Sequence, residues 1–425
     1  MKNVLVFPAG SEIGLEINNA LKYSKHFKVY GLTSTPNHSE YVFSNCITGV
    51  PYFDSPDFIE KLNEVIKEYE IDYIYPAYDD IQLFLVQNAD KINAVIVSAD
   101  LYTTEICRSK SKTYRLFKDE DFVPDTYSES EVKKFPVFVK PDVGQGAQGA
   151  LKVNDAAELK YALNENPGRI ICEYLSGEEY TVDCFTDNDG NLLCFKMRNR
   201  KRIRTGISVS SEILPEDEKV KQIAKIINSR LHFKGAWFFQ LKRNDSGEYR
   251  LMEVAPRIAG TMGITRNLGL NYPMMTLFCF EGVPVTVIDN KYSITVDRAF
   301  ISRYKTDIEY SWVYVDFDDT VHLGDKVNTI LMMFLYQAKN QGKNIVLLSR
   351  HSKDIHSSLK DFHISEELFS DIIVIDNDKP KSSYIVQKSA IFIDDAFSER
   401  YDVSRVCGIP VFDCSEVEAL LDWRV

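Results

Sequence analysis

The sequence has no clustered cysteines and no cysteine or histidine pairs at metal-ligand spacing. Its eight cysteines are scattered, and no two of them form a CxxC pair. Structural zinc sites and disulfide frameworks both depend on such spacing. We therefore expect the chain to fold without either of them, in a reduced, cytoplasmic setting.

Excess positive charge and long apolar runs are also missing. The formal net charge is −12 over 425 residues. Nucleic acids and anionic membranes recruit basic surfaces, so neither is expected as a partner. The apolar run ILMMFLY is too short to span a membrane. The opening MKNVLVFPAG is typical of a first strand and its turn rather than of a signal peptide.

The length exceeds what one hydrophobic core supports, and the patterning predicts a multidomain α/β fold. In residues 1–102, the strands NVLVFPA, KVYGLTS, DYIYPAY and AVIVSA alternate with amphipathic helices, which indicates a Rossmann-like parallel sheet. A second domain is expected over 103–306 and a third, again α/β, over 307–425. The turn PAGSEIG lacks the G-x-G-x-x-G fingerprint, so a tight turn is favoured over a dinucleotide site.

A glycine-rich loop follows a lysine at the end of a predicted strand in VKPDVGQGAQGA. The lysine is Lys140, and the loop glycines are Gly144, Gly146 and Gly149. Backbone N–H groups of such a loop can approach phosphate oxygens closely, and the lysine adds a positive charge. No GK[ST] follows, so the loop is not a P-loop; alone, it could also be a hairpin turn.

Two oxygen-bearing side chains are expected to meet on neighbouring antiparallel strands. Gln240 lies in WFFQLK, and Glu253 ends the strand in YRLMEVAPR. Oxygen ligands of this kind suit Mg²⁺ or Mn²⁺ bound beside phosphates. Arg257, close behind, would neutralise charge that develops during phosphoryl transfer.

The order of these motifs over residues 1–305 closely resembles the ATP-grasp family, in particular its carbamoyl-phosphate-synthetase-like and amino-acid-ligase-like branch. The resemblance implies an α+β ATP-grasp domain behind the Rossmann-like one, with residues 144–149 as a lid loop over the triphosphate. It also implies an ATP site formed by Lys112, Lys140, Gly144, Gly146, Gly149, Glu173, Tyr174, Leu175 and Glu179.

In this family a carboxylate is phosphorylated by ATP, and an amine then displaces the phosphate. The resemblance implies the same reaction here, with Gln240 and Glu253 as metal ligands and small-molecule substrates. In MRNRKRIRTG, Arg204 is the candidate for facing the acyl phosphate, with Arg202 second, although a charge run is also typical of a solvated face. The family pattern E-x-N-P-R reads EVAPR here, so Ala255 replaces a metal-ligating asparagine.

A second set of motifs begins at VYVDFDDT, where two aspartates follow an apolar strand. It resembles the haloacid dehalogenase (HAD) phosphatase superfamily. The resemblance implies Asp316 as nucleophile and Asp318 as acid and base. Further along it implies Ser349 as the phosphate-binding hydroxyl, and Lys381, or with less support Lys379, as the balancing charge. The implied Mg²⁺ ligands are Asp316, Asp318, Asp394 and Asp395.

Together the two sets of motifs predict a bifunctional enzyme, an ATP-grasp ligase fused to a small capless phosphatase that acts on a phosphate ester. Two alternatives stay open: the HAD-like part could be a structural module, or the chain could be a nucleotide-binding sensor with a degenerate ligase site. A homodimer is also left open. In PAYDDIQ, we expect Asp79 and Asp80 to begin a helix beside Tyr78 rather than to bind substrate.

Overall fold

The computed structural model describes residues 1–144, 146, 148–204, 206–376 and 378–424, which form two units, Met1–Phe300 and Ile301–Val425. The boundary therefore falls after Phe300 rather than after residue 306. The first unit contains both of the first two predicted domains, and their division at residue 102 stays a prediction. None of the described helices is long and apolar enough to cross a membrane.

The first unit opens with a parallel five-stranded sheet in the order β3-β2-β1-β4-β5. Its strands are β1 (Lys2–Phe7), β2 (Phe27–Thr33), β3 (Cys46–Thr48), β4 (Tyr73–Pro76) and β5 (Val95–Ile96). The helices are α1 (Glu12–Leu21), α2 (Phe58–Glu68) and α3 (Asp79–Gln87). The four predicted strands are confirmed, although the last is short, and β3 was not predicted. The strand order reverses at β1 and β4, so the loops after these two strands form the crevice where α/β sheets bind ligands.

The turn after β1 is closely packed. Ser11 caps α1 by accepting a hydrogen bond from the Gly14 backbone N–H. A Cβ atom at Gly14 would lie only 2.6 Å from the Pro8 carbonyl oxygen. Close packing therefore requires glycine at this position, in agreement with the tight-turn interpretation of PAGSEIG.

Two antiparallel four-stranded sheets complete the core of the first unit, in the orders β6-β9-β7-β8 and β11-β10-β14-β15, with a small sheet β12-β13-β16. The first of these strands are β6 (Thr126–Tyr127), β7 (Val137–Pro141), β8 (Leu151–Val153), β9 (Arg169–Glu173), β10 (Glu179–Thr186) and β11 (Leu192–Asn199). The others are β12 (Arg202–Arg204), β13 (Ile207–Glu212), β14 (Gly235–Arg243), β15 (Tyr249–Ala255) and β16 (Thr295–Asp297). The helices are α4 (Leu101–Arg108), α5 (Lys110–Leu116), α6 (Ala156–Glu165), α7 (Glu218–Arg230), α8 (Gly263–Arg266) and α9 (Tyr272–Phe280).

The second unit is a parallel sheet in the order β21-β20-β17-β22-β23. Its strands are β17 (Trp312–Val315), β18 (His322–Leu323), β19 (Lys326–Val327), β20 (Asn344–Ser349), β21 (Asp371–Val374), β22 (Ala390–Ile393) and β23 (Val411–Phe412), of which β18 and β19 form a separate hairpin. The helices are α10 (Thr329–Asn340), α11 (Ile355–Asp361) and α12 (Phe397–Cys407). Parallel strands bring Asp316, Ser349 and Asp394 to one edge, because each lies at or just after the carboxyl end of β17, β20 or β22.

We expect Gly235→Ala to destabilise the first unit by about 1–3 kcal/mol more than Gly247→Ala, because only the former overpacks its surroundings. Both glycines have positive φ, 86° and 80°. A Cβ at Gly235 would lie 2.3 Å from Thr276 Cγ2, whereas Gly247 has no atom within 4 Å of that position. Urea unfolding of both variants measures the difference, and equal losses of stability would contradict the packing argument.

Candidate active sites

The first unit contains a cavity of about 770 Å³. Residues of its parallel sheet and residues of its antiparallel sheets both line this cavity. The loops after β1 and β4 form one wall, and the glycine-rich loop and the strands β14 and β15 form another. Lining residues include Gly10, Ser11, Tyr78, Asp79, Gly144, Gly146, Gln240, Glu253 and Arg257. The predicted metal ligands and part of the predicted phosphate loop thus line one shared cavity.

Gln240 and Glu253 are direct neighbours across two strands, since they are paired residues in the antiparallel register of β14 and β15. Two oxygen-bearing side chains at this spacing suit a hard divalent cation. Ala255, two residues beyond Glu253, also lines the cavity but brings no oxygen. The residues present therefore fit a Mg²⁺ ion with two protein ligands, with its other positions left to phosphates or water.

Two arginines at the end of β11 form the cationic wall of the cavity. Arg198 is 1% exposed; its Nε and Nη2 donate to Asp183 at 2.9 and 3.2 Å, and its Nη1 donates to Thr261 Oγ1. Arg200 Nη1 donates to Gln240 Oε1 at 2.6 Å. The Nε of Arg200 is buried and has no partner among the described residues, although the side chain is only 6% exposed. One buried N–H donor thus remains available to a bound anion.

The predicted Arg204 lies outside this cavity. Its guanidinium lies over the ring of the highly exposed Phe300, and Arg202 pairs with Asp297 at the surface. Side chains two residues apart on a strand share a face, so Arg198 and Arg200 point together toward the cavity. The arginines of MRNRKRIRTG that line the cavity are therefore the first two of the run, which the sequence interpretation did not name.

Arg257 is held by a carboxylate from the opposite wall. Its Nε and Nη2 donate to the two oxygens of Asp79 at 2.7 and 2.6 Å, and its guanidinium lies over the ring of Phe238. Burial alone would raise the pKa of Asp79, but the arginine holds it below its ordinary value. Next to it, Asp80 pairs with Arg108. Asp79 and Asp80 do occupy the first turn of α3, but they also carry ion pairs that the sequence did not reveal.

Lys110, rather than the predicted Lys112, lines the cavity. The Nζ of Lys110 donates to the carbonyl oxygens of Asp142 and Gly144, and burial lowers its pKa. Lys112 is half exposed and lies 4.0 Å from Glu105. On α5, residues two apart point to nearly opposite sides of the helix, so only one of the two lysines can face the ligand.

The other predicted ATP contacts surround the cavity rather than line it. Lys140 is buried, donates to the Tyr114 hydroxyl at 2.7 Å and has a pKa lowered by burial. Glu179 pairs with Lys242, and Arg200 Nη1 lies 3.5 Å away. Glu173 accepts from Arg250, and Lys152 lies over the ring of Tyr174.

Two further positions of the predicted nucleotide site also lie outside the cavity lining. Leu175 is half-buried, two residues after the end of β9. Gly149 faces Pro141 rather than the cavity, and its φ is 70°. Residues 145 and 147 of the predicted lid loop lie outside the described residues.

The second unit centres on a buried lysine between two carboxylates. Lys381 Nζ donates to Asp316 Oδ1 and to Asp394 Oδ2, each at 2.6 Å. Burial raises the pKa of Asp394 to about 6, against the influence of Lys381, and it raises the pKa of Asp316 as well. Of the two predicted lysines, Lys381 is the one that lies between the carboxylates. Lys379 is exposed, and its backbone carbonyl accepts from Arg350.

The same edge of the sheet offers a cation site. Within the described parts of the chain, Asp316, Asp394 and Asp395 each bring an oxygen within 4.8 Å of the others. Three carboxylates at this spacing fit Mg²⁺. The Ser349 hydroxyl is close enough to Asp316 to lower that carboxyl's pKa, yet its buried oxygen makes no regular hydrogen bond to the described residues. A phosphoryl oxygen would satisfy it.

Asp318, which the sequence predicts as a further metal ligand, lies outside that carboxylate group. Its carboxylate is instead bound by two histidines, His322 at 3.0 Å and His351 at 2.9 Å. Partial burial would raise the pKa of Asp318, but these two hydrogen bonds hold it below its ordinary value. The sequence interpretation did not anticipate either histidine, because the contacts join separate segments of the chain.

We expect Asp79→Ala to lower the stability of the first unit by about 3 kcal/mol, because it leaves the mostly buried Arg257 unpaired. Asp80→Ala is the matched control; Asp80 is 40% exposed and should cost about 1 kcal/mol or less. The depressed pKa of Asp79 means that its contribution is complete above the unfolded carboxyl pKa of about 4 and is lost as pH falls below it. Unfolding at pH 7 and pH 3 tests this, and a loss that does not shrink at pH 3 would contradict the assignment.

Comparisons with known proteins come from sequence and from structure. Residues 165–299, within the first unit, match a family model described as "ATP-grasp in the biosynthetic pathway with Ter operon". A sequence comparison with curated proteins found no match.

Several solved structures share the fold. Biotin carboxylase from Campylobacter jejuni is similar at a TM-score of 0.58 and 16% identity, over 69% of this chain and 74% of that one. N5-carboxyaminoimidazole ribonucleotide synthetase from Thermotoga maritima gives 0.55 and 19%, over 69% and 80%. L-amino acid ligase from Bacillus licheniformis gives 0.52 and 18%, over 66% and 74%. The chain thus shares the fold of these enzymes over about two thirds of its length, and its residues 165–299 match an ATP-grasp family model.

Proposed function

We propose that the first unit is an ATP-dependent ligase that joins a carboxylate to an amine through an acyl phosphate, and that the second unit is a Mg²⁺-dependent phosphatase. The observation that supports the ligase best is the shared cavity of Gln240, Glu253 and Arg257 beside the glycine-rich loop. The phosphatase rests on the geometry of Lys381, which bridges Asp316 and Asp394. The two activities are therefore proposed on separate grounds.

ATP with Mg²⁺ is the nucleotide that the first site would take. Structures with the same fold were solved with β,γ-ATP and with MgADP and bicarbonate. Gln240 and Glu253 would hold the metal, which supplies charge compensation for the phosphates when bound. Lys110 and the backbone near Gly144 and Gly146 lie where the phosphate chain would enter the same cavity.

The cationic wall of the cavity would hold the carboxylate that is phosphorylated. Arg200 is the best placed, because its orphaned Nε can donate to an anion while Nη1 keeps its bond to Gln240. The carboxylate oxygen attacks the terminal phosphorus of ATP, and ADP leaves. An amine then attacks the acyl carbon, the carbon–oxygen bond breaks, and phosphate leaves with that oxygen. Positioning and electrostatics would supply most of the rate.

The opposite wall restricts where substrates can lie. Glu12 at the start of α1 and Tyr78 and Asp79 before and within α3 line the cavity across from the arginines. Carboxylates on one side and arginines on the other suit substrates that carry both an amine and an acid group. We therefore propose small, polar substrates for the ligase.

In the second unit, Asp316 would attack the phosphorus of a phosphate ester. Asp318 gives its proton to the ester oxygen as the phosphorus–oxygen bond breaks, which leaves a phosphorylated Asp316 and an alcohol. Asp318 then takes a proton from water as the water attacks that phosphorus, and phosphate and free Asp316 are released. Lys381 and Ser349 would bind phosphoryl oxygens throughout, and Asp394 and Asp395 would complete the Mg²⁺ site.

We expect Glu253→Gln to reduce ligase turnover by about 100-fold, because the neutral amide weakens charge compensation at the transferred phosphate. ADP release is measured with Mg²⁺, ATP and pooled carboxylates and amines, in an Asp316→Asn background that silences the second site. The exposed Glu60→Gln on α2 serves as the control. Tight ATP binding without ADP release from any pool would instead favour the nucleotide-binding sensor.

Asp316→Asn should reduce hydrolysis of p-nitrophenyl phosphate by roughly 10⁴-fold or more, because it removes the nucleophile. Asp361→Asn, an exposed carboxyl at the end of α11, should hydrolyse the ester at the wild-type rate. If the wild-type protein hydrolyses phosphate esters no faster than Asp316→Asn, the second unit is a structural module and the phosphatase proposal fails.

A further inference from the structure

The carboxylate of Asp318 is hydrogen-bonded to histidines from two separate segments of the second unit. His351, just after β20, has its Nδ1 at 2.9 and 3.0 Å from the two Asp318 oxygens. His322, at the start of the β18 hairpin, has its Nε2 at 3.0 Å from Asp318 Oδ1. A half-exposed aspartate ordinarily samples several rotamers, and two fixed hydrogen-bond partners remove that freedom.

The far side of each ring is also bound, which fixes how the ring is turned. His322 Nδ1 lies 2.9 Å from the Gly324 carbonyl oxygen. A carbonyl can only accept, so Nδ1 carries a hydrogen and Nε2 is the atom left to face Asp318. His351 Nε2 lies 2.7 Å from Ser358 Oγ. Each histidine is therefore oriented by a partner of its own before it meets the carboxylate.

Aromatic packing holds the two rings in place. His322 stacks on Phe362, with ring centroids 4.6 Å apart and an angle of 20° between the planes. The edge of Phe317 meets His351 at 81°. The side chains of His322 and His351 are 14% and 9% exposed, whereas that of Asp318 is 44% exposed. The support is buried, and the carboxylate it supports stays accessible to a ligand.

We propose that His351 and His322 are positioning residues that hold the Asp318 carboxylate in the orientation needed to exchange a proton with the leaving oxygen and then with water. This inference rests on the phosphatase function proposed above. It adds a rigid frame of two histidines to the acid–base residue. The histidines act only through Asp318 and are not themselves proposed to touch the substrate.

Leaving-group dependence separates this role from a structural one. Phenyl phosphate has a poor leaving group that needs a proton, whereas 2,4-dinitrophenyl phosphate has a good one that does not. We compare kcat/KM, which reports the formation of phosphorylated Asp316 and not its later hydrolysis, a step common to both esters. In His351→Phe and His322→Phe, we expect kcat/KM for phenyl phosphate to fall by about tenfold or more, because a misplaced acid loses part of its contribution. The kcat/KM for the dinitrophenyl ester should change by less than about threefold. Asp318→Asn should show the same selectivity more strongly.

Conservative variants and a control complete the experiment. An asparagine amide can replace Nδ1 of a histidine, and a glutamine amide can replace Nε2. His351→Asn and His322→Gln should therefore recover most of the phenyl phosphate activity. His356, which is exposed and pairs with Glu366, supplies the control His356→Ala, with wild-type rates on both esters. Equal losses on both esters, or no loss on either, would overturn the proposal.

Nitrogen NMR of the histidine-labelled, full-length protein tests the orientation of the histidine rings without relying on enzymatic activity. We expect His322 to carry a hydrogen on Nδ1, and a His322 with an unprotonated Nδ1 would overturn the proposal. Failure of the phosphatase itself gives a different result. In that case the wild-type protein hydrolyses neither ester. The position of the hydrogen on His322 is then still measured by NMR, independently of any activity.

Discussion

A buried charge needs a partner of opposite charge, and the second site depends on how this requirement is met. Lys381 is 5% exposed at its side chain and lies between Asp316 and Asp394. Without the lysine, two carboxylates this close and this buried would not both ionise. With it, both can stay ionised, as the proposed nucleophile and the proposed cation ligand require. The parallel strands β17, β20 and β22 all end at this edge, and this arrangement brings the charged groups together.

The buried arginines of the first unit also need partners of opposite charge, but one of them keeps a donor that is not paired. Arg198 is paired with Asp183 and Arg257 with Asp79, so most of the positive charge around the cavity is already balanced. Arg200 differs. Its Nη1 and Nη2 donate hydrogen bonds to Gln240 and Gly206, and its buried Nε has no partner among the described residues. Among the described, buried side-chain donors that line the cavity, the Nε of Arg200 is the one without a partner, so an anion can hydrogen-bond to it without breaking an existing contact.

Strand ends were easy to predict, and contacts between distant segments were not. Asp316, Ser349 and Asp394 follow apolar strands, so their meeting at one edge followed from a parallel sheet alone. The sequence predicts Lys112 and Arg204, whereas Lys110 and Arg200 line the cavity, because the sequence does not show which side of a helix or strand faces a ligand. His322 and His351 stand 29 positions apart, two residues beyond Thr320 and Ser349, but neither is a functional position of the recognised motifs. Their role depends on tertiary contacts with Asp318, Phe317 and Phe362, which no local spacing encodes.

The proposed acyl phosphate is tested most directly by tracing a labelled carboxylate oxygen into the released phosphate. The Asp316→Asn protein is given ATP, Mg²⁺, amines and carboxylates labelled with ¹⁸O, and the released phosphate is examined by mass spectrometry. An acyl phosphate places a carboxylate oxygen on phosphorus, so the account predicts one ¹⁸O in each phosphate that accompanies ligation. ADP formed together with phosphate free of label would contradict it, because the terminal phosphoryl group would then have gone to water rather than to a carboxylate.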